Sequence, residues 1–330
     1  MVEFDLIARI RARAAARDDV VLGIGDDCAL LQPPPGMQLA VTADTLNVGV
    51  HFVEGAAPAD IGWKALAVNL SDLAAMGAAP AWCLLSLSLP APDEAWVDGF
   101  LDGFLALAAA HGVALVGGDT TRGPLSIGVT AHGLLAPGQA LRRSGASAGD
   151  DVWVSGELGD AAAALALMSG GKEGAPLSPA ADPAGVRARL DRPQPRVALG
   201  RALVGIASAC IDVSDGLLAD LGHVAAASGV AARINVDALP ASPALAELAL
   251  AEPVLAQELR RTLQATGGDD YELCFTAPPE RRDAVAAAAA QAGVPATRIG
   301  SLHAGSGVQA VDAQGAPWAP PRAGYVHFSS

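Results

Sequence analysis

The sequence contains the stretch Ile61-Gly-Trp-Lys-Ala-Leu-Ala-Val-Asn-Leu-Ser-Asp-Leu-Ala-Ala-Met76, in which apolar residues recur at helical spacing. Gly77 and Pro80 follow and end the predicted helix. Asn69 and Asp72 are three residues apart and therefore share one face of that helix. Because aspartate has poor helix propensity in a helix interior, a carboxylate in this otherwise apolar stripe indicates a functional role.

Further aspartates stand where an apolar run meets a glycine-rich or polar turn. They occur in Gly23-Ile-Gly-Asp-Asp27, Val41-Thr-Ala-Asp44, Gly117-Gly-Asp-Thr-Thr-Arg122 and Ile211-Asp-Val-Ser-Asp215. Each motif alone also fits an ordinary turn, strand end or helix cap. Together, at the ends of buried strands, they would bring several carboxylates into one cleft, where like charges repel unless a cation lies among them. Hard oxygen ligands select Mg²⁺ or Ca²⁺, and a magnesium-bearing cleft of this kind predicts an enzyme that uses a nucleotide.

The composition bounds the class of protein. With 330 residues, of which 52% are hydrophobic, the chain is long enough for two domains or one large one with a full core. Abundant alanine, leucine, valine and glycine suit an α/β or α+β enzyme. The formal net charge of −14 argues against nucleic acid or an anionic membrane as a partner, because either attracts a basic surface.

Cysteine usage and the N-terminus bear on localisation. The four cysteines are widely spaced, which favours buried free thiols over a zinc site. The N-terminus lacks the basic start and apolar core of a signal peptide, and no uncharged apolar run reaches the roughly 20 residues that span a bilayer. We therefore expect a cytoplasmic protein.

The apolar periodicity predicts strands alternating with helices. The predicted strands are residues 20–24, 38–42, 81–89, 113–116, 126–135, 151–155, 207–213 and 272–277. The predicted helices are residues 4–13, 61–76, 93–111, 160–168, 195–204, 217–227 and 281–292. Residues 136–150 are rich in small and breaker residues and form the best linker candidate, so we predict domains of residues 1–137 and 138–330. Residues 169–183 are rich in Gly, Pro and Ser and are predicted to form a mobile loop.

Two of the acidic motifs suggest how a metal and a phosphate chain could be held. Thr42 and Asp44 are two residues apart on a predicted strand, so their side chains share a face and converge as metal ligands must. The predicted turn at Gly117-Gly118-Asp119 would let backbone N–H groups cradle phosphate oxygens while the carboxylate holds a bridging metal. Guanidinium groups pair well with phosphate, and the candidates for that role are Arg122, Arg142 and Arg143.

The helix predicted from Leu217 supplies a third candidate. Ser214 or Asp215 is predicted to be its N-cap, and the positive end of a helix is a natural phosphate site. His51, just after an acidic strand, suits a substrate contact. The chain has no Gly-x-x-x-x-Gly-Lys-Ser/Thr motif and no His-Arg-Asp or Asp-Phe-Gly motif, so neither a P-loop enzyme nor a protein kinase is indicated.

In their order along the chain and in their residues, the motifs resemble those of the thiamine-monophosphate kinases, within the aminoimidazole-ribonucleotide-synthetase-like superfamily. The resemblance runs nearly end to end. The most specific motifs are Asp26-Asp-Cys-Ala29, Asn69-Leu-Ser-Asp-Leu-Ala-Ala-Met-Gly77 and Gly267-Gly-Asp-Asp-Tyr-Glu-Leu273.

The resemblance implies an α/β (α+β) fold of two domains. The N-terminal domain, which would bind ATP and Mg²⁺, is expected to form a dimeric sheet or barrel with a second copy, giving a homodimer. The C-terminal α/β domain would complete the nucleotide and substrate site. The implied activity is transfer of the γ-phosphoryl group of ATP to thiamine monophosphate, which gives thiamine diphosphate, with several Mg²⁺ ions per site. Because the acceptor phosphate is already an anion, no residue is expected to act as a general base.

The resemblance also implies residue roles. The implied magnesium ligands are Asp27, Thr42, Ala43, Asp44, Asp72, Asp119, Asp212 and Asp215. Among them, Asp44, Asp72 and Asp119 would align the metal-held phosphates. The implied ATP contacts are Gly118, Asp119, Arg143 and Ser214, and the implied thiamine-phosphate contacts are His51, Asp269 and Tyr325.

Two departures from the family pattern bear on these roles. Asp269 stands where glutamate is common, which shortens a substrate contact by one methylene. Ala43 stands where threonine or serine is common, so only its backbone carbonyl could be a ligand. Two other functions stay open on the sequence. One is a different ATP-using enzyme of the superfamily, such as an aminoimidazole ribonucleotide synthetase or a selenophosphate synthetase, and the other is a non-enzymatic scaffold that binds a divalent cation or a nucleotide.

Overall fold

The computed structural model of the chain describes residues 3–169, 183–247, 253–320 and 324–325. The chain divides into two compact units, Met1–Leu73 with Ala78–Ala140, and Ala74–Gly77 with Leu141–Ser330. The predicted mobile loop lies almost entirely outside the described residues. Within the described part of the chain, no helix is both long and apolar enough to cross a membrane.

In its described residues, the first unit contains three helices and six strands. In chain order these are α1 Glu3–Arg13, β1 Val20–Leu22, β2 Leu30–Leu31, β3 Gln38–Asn47, α2 Pro58–Ala75, β4 Ala79–Leu89, α3 Glu94–Ala110, β5 Ala114–Arg122 and β6 Ser126–Leu135.

Four of those strands form the main sheet, in the order β3-β6-β4-β5. β3 and β4 run antiparallel to β6, whereas β5 runs parallel to β4. The helices α2 and α3 approach each other closely: a Cβ added at Gly103 would lie 1.7 Å from the carbonyl oxygen of Ala59, and one added at Gly62 would lie 2.0 Å from that of Phe100. Only glycine allows this backbone contact, which brings the apolar faces of both helices into one core.

Strand β3 is an edge strand with one face turned outward. Its burial alternates along the strand, and Leu39 and Val41 are 47% and 58% exposed. The sheet is open in the described residues of the single chain. The pairing of two such sheets into a dimeric sheet or barrel stays a prediction.

The second unit is an α/β arrangement. In chain order its elements are β7 Asp151–Ser155, α4 Asp160–Met168, α5 Pro183–Asp191, α6 Val197–Ala202, β8 Ala209–Val213, α7 Leu217–Ser228, β9 Ala231–Asn235, α8 Pro243–Ala246, α9 Pro253–Thr266, β10 Glu272–Ala277, α10 Arg282–Ala292, β11 Ala296–His303, β12 Gly307–Val311 and β13 Pro317–Trp318. Seven strands form one sheet in the order β13-β12-β9-β11-β7-β10-β8.

The core of the second unit lies on one face of that sheet. Val152 and Val154 of β7 and Ile211 of β8 are buried there with Leu221 of α7. Trp153 lies between the two valines and points to the other face, because side chains alternate along a strand; there its ring stacks on that of Phe275. Every residue of β8 and β10 is buried, because both faces of these two strands are covered.

The sequence pattern predicted most of the observed elements, but for two strands the predicted C-terminal end was several residues too early. Strand β3 continues to Asn47, so Asp44 lies within the strand and not at its end. The turn predicted at Gly117-Gly118-Asp119 is wrong, because β5 runs through it to Arg122. The register against β4 shifts between Cys83 and Leu84, which places a bulge just before the two glycines.

Gly118 has a structural reason to be glycine. Its φ is +144°, and a Cβ there would lie 1.8 Å from the carbonyl oxygen of Leu85. The close backbone approach that the sequence suggested therefore exists, and its partner in the described structure is strand β4.

Candidate functional site

The first unit brings together three of the predicted metal ligands. Thr42 and Asp44 are on the same face of β3, as their spacing predicted. The two residues contact Asp72 and Asn69 of α2. The Thr42 hydroxyl donates a hydrogen bond to Oδ2 of Asp72. The backbone N–H of Asp44 donates to Oδ1 of Asn69, 3.2 Å away.

Asn69 holds this arrangement in place. Its side chain is fully buried, and its Nδ2 donates to the carbonyl oxygen of Ala65, one turn earlier in α2, at 3.0 Å. Because donor and acceptor of the amide are both engaged, the amide locks β3 against α2. Asn69 is therefore a positioning residue for the acidic pair.

The electrostatics of the pair are unfavourable without a cation. Burial, and secondly the charge of Asp72, raise the pKa of Asp44 from 3.8 to about 6. Both carboxylates and the Thr42 hydroxyl are hard oxygen donors, the kind that Mg²⁺ and Ca²⁺ prefer. The donor set therefore fits a divalent cation, although the described part of the chain contains no group of three or more His, Cys, Asp or Glu side chains clustered as metal ligands.

The other predicted ligands of the first unit are on β5, on the outward face of β3 and in the segment between β1 and β2. Asp27 is exposed in the segment between β1 and β2, where its N–H donates to Oδ1 of Asp26. Asp119 is exposed on β5 and pairs with Ser86. Since β6 and β4 separate β5 from β3, the backbone of Asp119 is about 14 Å, or three strand spacings, from β3. Ala43 is exposed on β3, and its backbone pairs with Thr130.

His51 lies in the turn after β3. Its Nδ1 accepts a hydrogen bond from the backbone N–H of Asn47 at 3.0 Å, and its carbonyl oxygen accepts one from Nζ of the buried Lys64 at 3.1 Å. A ring nitrogen that accepts carries no proton, so the neutral ring has its hydrogen on Nε2. His51 can therefore offer a hydrogen-bond donor to a ligand.

In the second unit, Asp212 is buried near the end of β8, and Ser214 and Asp215 are half-buried in the turn before α7. The N-cap predicted at Ser214 or Asp215 is wrong, because Gly216 is the capping residue. Asp220, in the first turn of the helix, accepts hydrogen bonds from the N–H groups of Ser214 and Asp215 at 3.0 and 3.1 Å.

That contact changes the prediction of a phosphate site at this helix end. The buried carboxylate of Asp220 already occupies the backbone donors that a phosphate would need, and burial raises its pKa to about 6. A nucleotide contact from Ser214 would therefore have to use its side chain. Sequence reasoning missed Asp220, although an acidic residue in the first helical turn is a recognisable capping signal.

The predicted substrate residues of the second unit contact the same turn, at Ser214 and Asp215. The N–H of Asp269 donates to the carbonyl oxygen of Ser214, and the N–H of Tyr325 donates to that of Asp215, both at 2.9 Å. The structure thus brings Asp269 and Tyr325, which are far apart in sequence, to the adjacent residues Ser214 and Asp215.

Arg143 is exposed, and its carbonyl oxygen accepts a hydrogen bond from Ser228 Oγ at 3.2 Å. The carbonyl oxygen of the preceding Arg142 accepts from the N–H of Cys210 on β8, at 2.8 Å. The segment that carries Arg143 is therefore hydrogen-bonded to β8, the strand that contains Asp212.

Comparison with known proteins identifies this arrangement. The model of the AIR synthase related protein N-terminal domain matches residues 25–135, and the model of the C-terminal domain of the same proteins matches residues 147–313. The thiamine-monophosphate kinase of Salmonella typhimurium is 48% identical over 330 residues, covering 99% of this chain and 98% of the relative. The chain belongs to the thiamine-monophosphate kinase family.

Solved structures of the family agree with the fold. The crystal structure of thiamine-monophosphate kinase from Stenotrophomonas maltophilia K279a matches with a TM-score of 0.85 and 56% identity, covering 96% of this chain and 98% of that one. A structure of AaThiL complexed with AMPPCP and TMP matches with a TM-score of 0.72 and 32% identity, covering 96% of both chains. The family and the two-domain α/β fold predicted from the sequence are therefore confirmed.

Proposed function

We propose that this chain transfers the γ-phosphoryl group of ATP to thiamine monophosphate by direct, Mg²⁺-assisted in-line displacement, in thiamine diphosphate biosynthesis. Family membership supports the activity, and so does the relative whose structure holds AMPPCP, an ATP analogue, together with TMP. The observation that carries the chemistry is the half-buried pair Asp44 and Asp72 with the Thr42 hydroxyl between β3 and α2.

Magnesium fits this pair because its positive charge would stabilise the ionised form of Asp44, whose pKa is raised by burial and secondly by the charge of Asp72. When bound, Mg²⁺ supplies neutralisation of the phosphate charges and alignment of the phosphates. Thr42, Asp44 and Asp72 would hold it here. Further ligands proposed from the family motifs are Asp27, the Ala43 carbonyl, Asp119, Asp212 and Asp215.

The transfer itself requires alignment more than covalent help. A phosphate oxygen of thiamine monophosphate forms the new bond to the γ-phosphorus, and the bond from that phosphorus to the β,γ-bridging oxygen breaks, so ADP leaves with the electron pair. The attacking oxygen carries no proton, so no side chain has to remove one. Asp44, Asp72 and Asp119 would fix the position of the phosphates.

The remaining residues would bind the two substrates. For ATP we propose Gly118, Asp119, Arg143 and the Ser214 side chain. For thiamine monophosphate we propose the Nε2–H of His51, the carboxylate of Asp269, and Tyr325. The contacts of Asp269 and Tyr325 with the 214–215 turn support this assignment, because they place the proposed substrate residues beside Ser214 and Asp215.

We also propose that residues 1–137 bind ATP and Mg²⁺ and form a homodimer, and that residues 138–330 complete the site. The exposed apolar side chains of Leu39 and Val41 on an edge strand support a partner surface there. Light scattering on the purified chain would test the dimer.

The activity is tested by incubating the purified chain with ATP, Mg²⁺ and thiamine monophosphate and quantifying products by chromatography. We expect ADP and thiamine diphosphate in equal amounts, without inorganic phosphate, and no ADP when unphosphorylated thiamine replaces the acceptor. ADP and inorganic phosphate formed without thiamine diphosphate would indicate a different ATP-using enzyme. ATP binding without any turnover would indicate a scaffold.

A further inference from the structure

The segment Asp269-Asp270-Tyr271 has an unusual backbone. Asp269 and Tyr271 have φ values of +68° and +49°, and in the described structure no other non-glycine residue has positive φ. A bulky side chain such as tyrosine rarely adopts this conformation. Such strain persists only where the surrounding structure holds it, and it is concentrated at functional sites.

Backbone hydrogen bonds hold the segment against the turn before α7. The N–H of Asp269 donates to the Ser214 carbonyl oxygen at 2.9 Å, and the N–H of Tyr271 donates to that of Val213 at 2.8 Å. Between them, both carboxylate oxygens of the buried Asp270 accept from the N–H of Gly159, at 2.9 and 3.1 Å. Three successive residues are therefore fastened to two other parts of the second unit.

The next residue adds an ionic anchor. Glu272 is fully buried; Arg196 donates to both of its carboxylate oxygens, one of them at 2.6 Å, and Arg189 donates to Oε1 at 2.6 Å. The Ser155 hydroxyl also donates to Oε2, at 2.5 Å. This anchor keeps the C-terminal end of the strained segment from relaxing.

The strained backbone places two side chains of the segment in contact. The Tyr271 hydroxyl donates a hydrogen bond to Oδ1 of Asp269 at 3.0 Å. The phenol thereby restricts the rotation of a carboxylate that is one methylene shorter than the glutamate common at this position.

We propose that Tyr271 is a positioning residue of the substrate site: its hydroxyl holds the Asp269 carboxylate in the direction that receives the acceptor substrate. The inference rests on the proposed function, in which Asp269 contacts thiamine monophosphate. A fixed carboxylate suits the cationic thiazolium ring or the exocyclic amine of that substrate. Tyr271 acts only through Asp269 and makes no contribution to ATP binding or to the transfer step.

The test is a steady-state comparison of Tyr271→Phe with the wild-type chain. The variant keeps the ring and loses the hydroxyl. We expect the KM for thiamine monophosphate to rise about 10-fold, the effect of one lost hydrogen bond to a charged group, with kcat within about twofold of wild type. The KM for ATP and the melting temperature should be unchanged. A variant with lower melting temperature and lower kcat but an unchanged KM for thiamine monophosphate would overturn the positioning role.

A double-mutant cycle shows whether Tyr271 affects the KM for thiamine monophosphate through Asp269. In an Asp269→Ala background, Tyr271→Phe should change the KM for thiamine monophosphate by less than about twofold, because the group it positions is gone. The control is Glu280→Gln, at an exposed glutamate of the same unit outside the proposed site, which should leave the KM for thiamine monophosphate unchanged in both backgrounds. If Tyr271→Phe raises KM equally with and without Asp269, the inference is wrong.

The assay also separates this inference from the function on which it rests. If the wild-type chain forms no thiamine diphosphate, the proposed function fails and the inference falls with it. If the wild type turns over normally and Tyr271→Phe has wild-type kinetics, only the inference fails.

Discussion

Asp44 on β3 lies within the electrostatic influence of Asp72 on α2, and the charge of Asp72 adds to burial in raising the pKa of Asp44 to about 6. The residues come from a strand and a helix separated by a turn that includes His51. A protein gains nothing in stability by bringing two like charges together in a half-buried position, so the pair points to a ligand that compensates them.

Removing either charge should impair turnover much more than folding. We expect Asp44→Asn and Asp72→Asn each to lower kcat at saturating Mg²⁺ by at least roughly 10²-fold, the scale for losing a group that stabilises transition-state charge. The measurement is ADP formation dependent on thiamine monophosphate. Asp102→Asn, at a carboxylate 68% exposed in the same unit, is the control and should turn over normally. Near-normal rates in both site variants would remove the metal assignment.

The raised pKa of Asp44 predicts how stability depends on pH. Between its ordinary pKa of 3.8 and about 6, the folded state retains a proton that the unfolded state has lost, so this group's contribution falls as pH rises through that window. In the absence of Mg²⁺, Asp44→Asn should therefore be more stable than wild type above pH 6, by up to about 3 kcal/mol. The difference should shrink towards zero near pH 4.

Urea unfolding in EDTA at several pH values measures this difference. A gap between Asp44→Asn and wild type that does not change between pH 4 and pH 8 would contradict the predicted titration. Asp102→Asn again serves as the control and should show no pH-dependent gain.

Gly118 should not accept a side chain. In Gly118→Ala the new methyl group would lie 1.8 Å from the Leu85 carbonyl oxygen, so β5 must move away from β4. We expect a loss of about 3 kcal/mol in the free energy of unfolding, measured with urea. Gly112→Ala is the matched control: its φ is also positive, at +64°, but nothing lies within 4 Å, so it should lose only about 1 kcal/mol. Equal losses would show that backbone conformation, and not the collision, limits both sites.

The anchor of the strained segment should be important for stability. Glu272→Gln would leave the guanidinium groups of Arg189 and Arg196 beside a neutral, buried side chain. Breaking a buried ion pair from one side costs about 3 kcal/mol, which thermal or urea unfolding would detect. Glu280→Gln, at an exposed glutamate of the same unit, should unfold like the wild type. If the two variants are equally stable, Glu272 does not hold the segment.

Periodicity located seven helices and most strands, because these depend on local spacing, but it missed α5, α8 and α9. The stripe in α2, the pairing of Thr42 with Asp44 on one face, and the strand 126–135 all follow from residues within one turn or one pleat. The glycines at 117 and 118 misled the prediction because glycine also permits a bulge and a close backbone approach inside a strand. Nothing local distinguishes that use from a turn.

By itself, the sequence determined the family, the two-domain α/β class and the identity of the acidic residues, since each follows from motifs and spacing. Only the tertiary structure decided which of them meet. Asp72 contacts Thr42 from 30 positions away, and Asp220 accepts hydrogen bonds from the N–H groups that a phosphate could have used. Asp269 has a left-handed backbone and donates to the carbonyl oxygen of Ser214. The neighbouring residues are held by hydrogen bonds to Val213 and Gly159. These contacts depend on how whole elements pack, and packing joins residues whose separation along the chain carries no signal of their nearness.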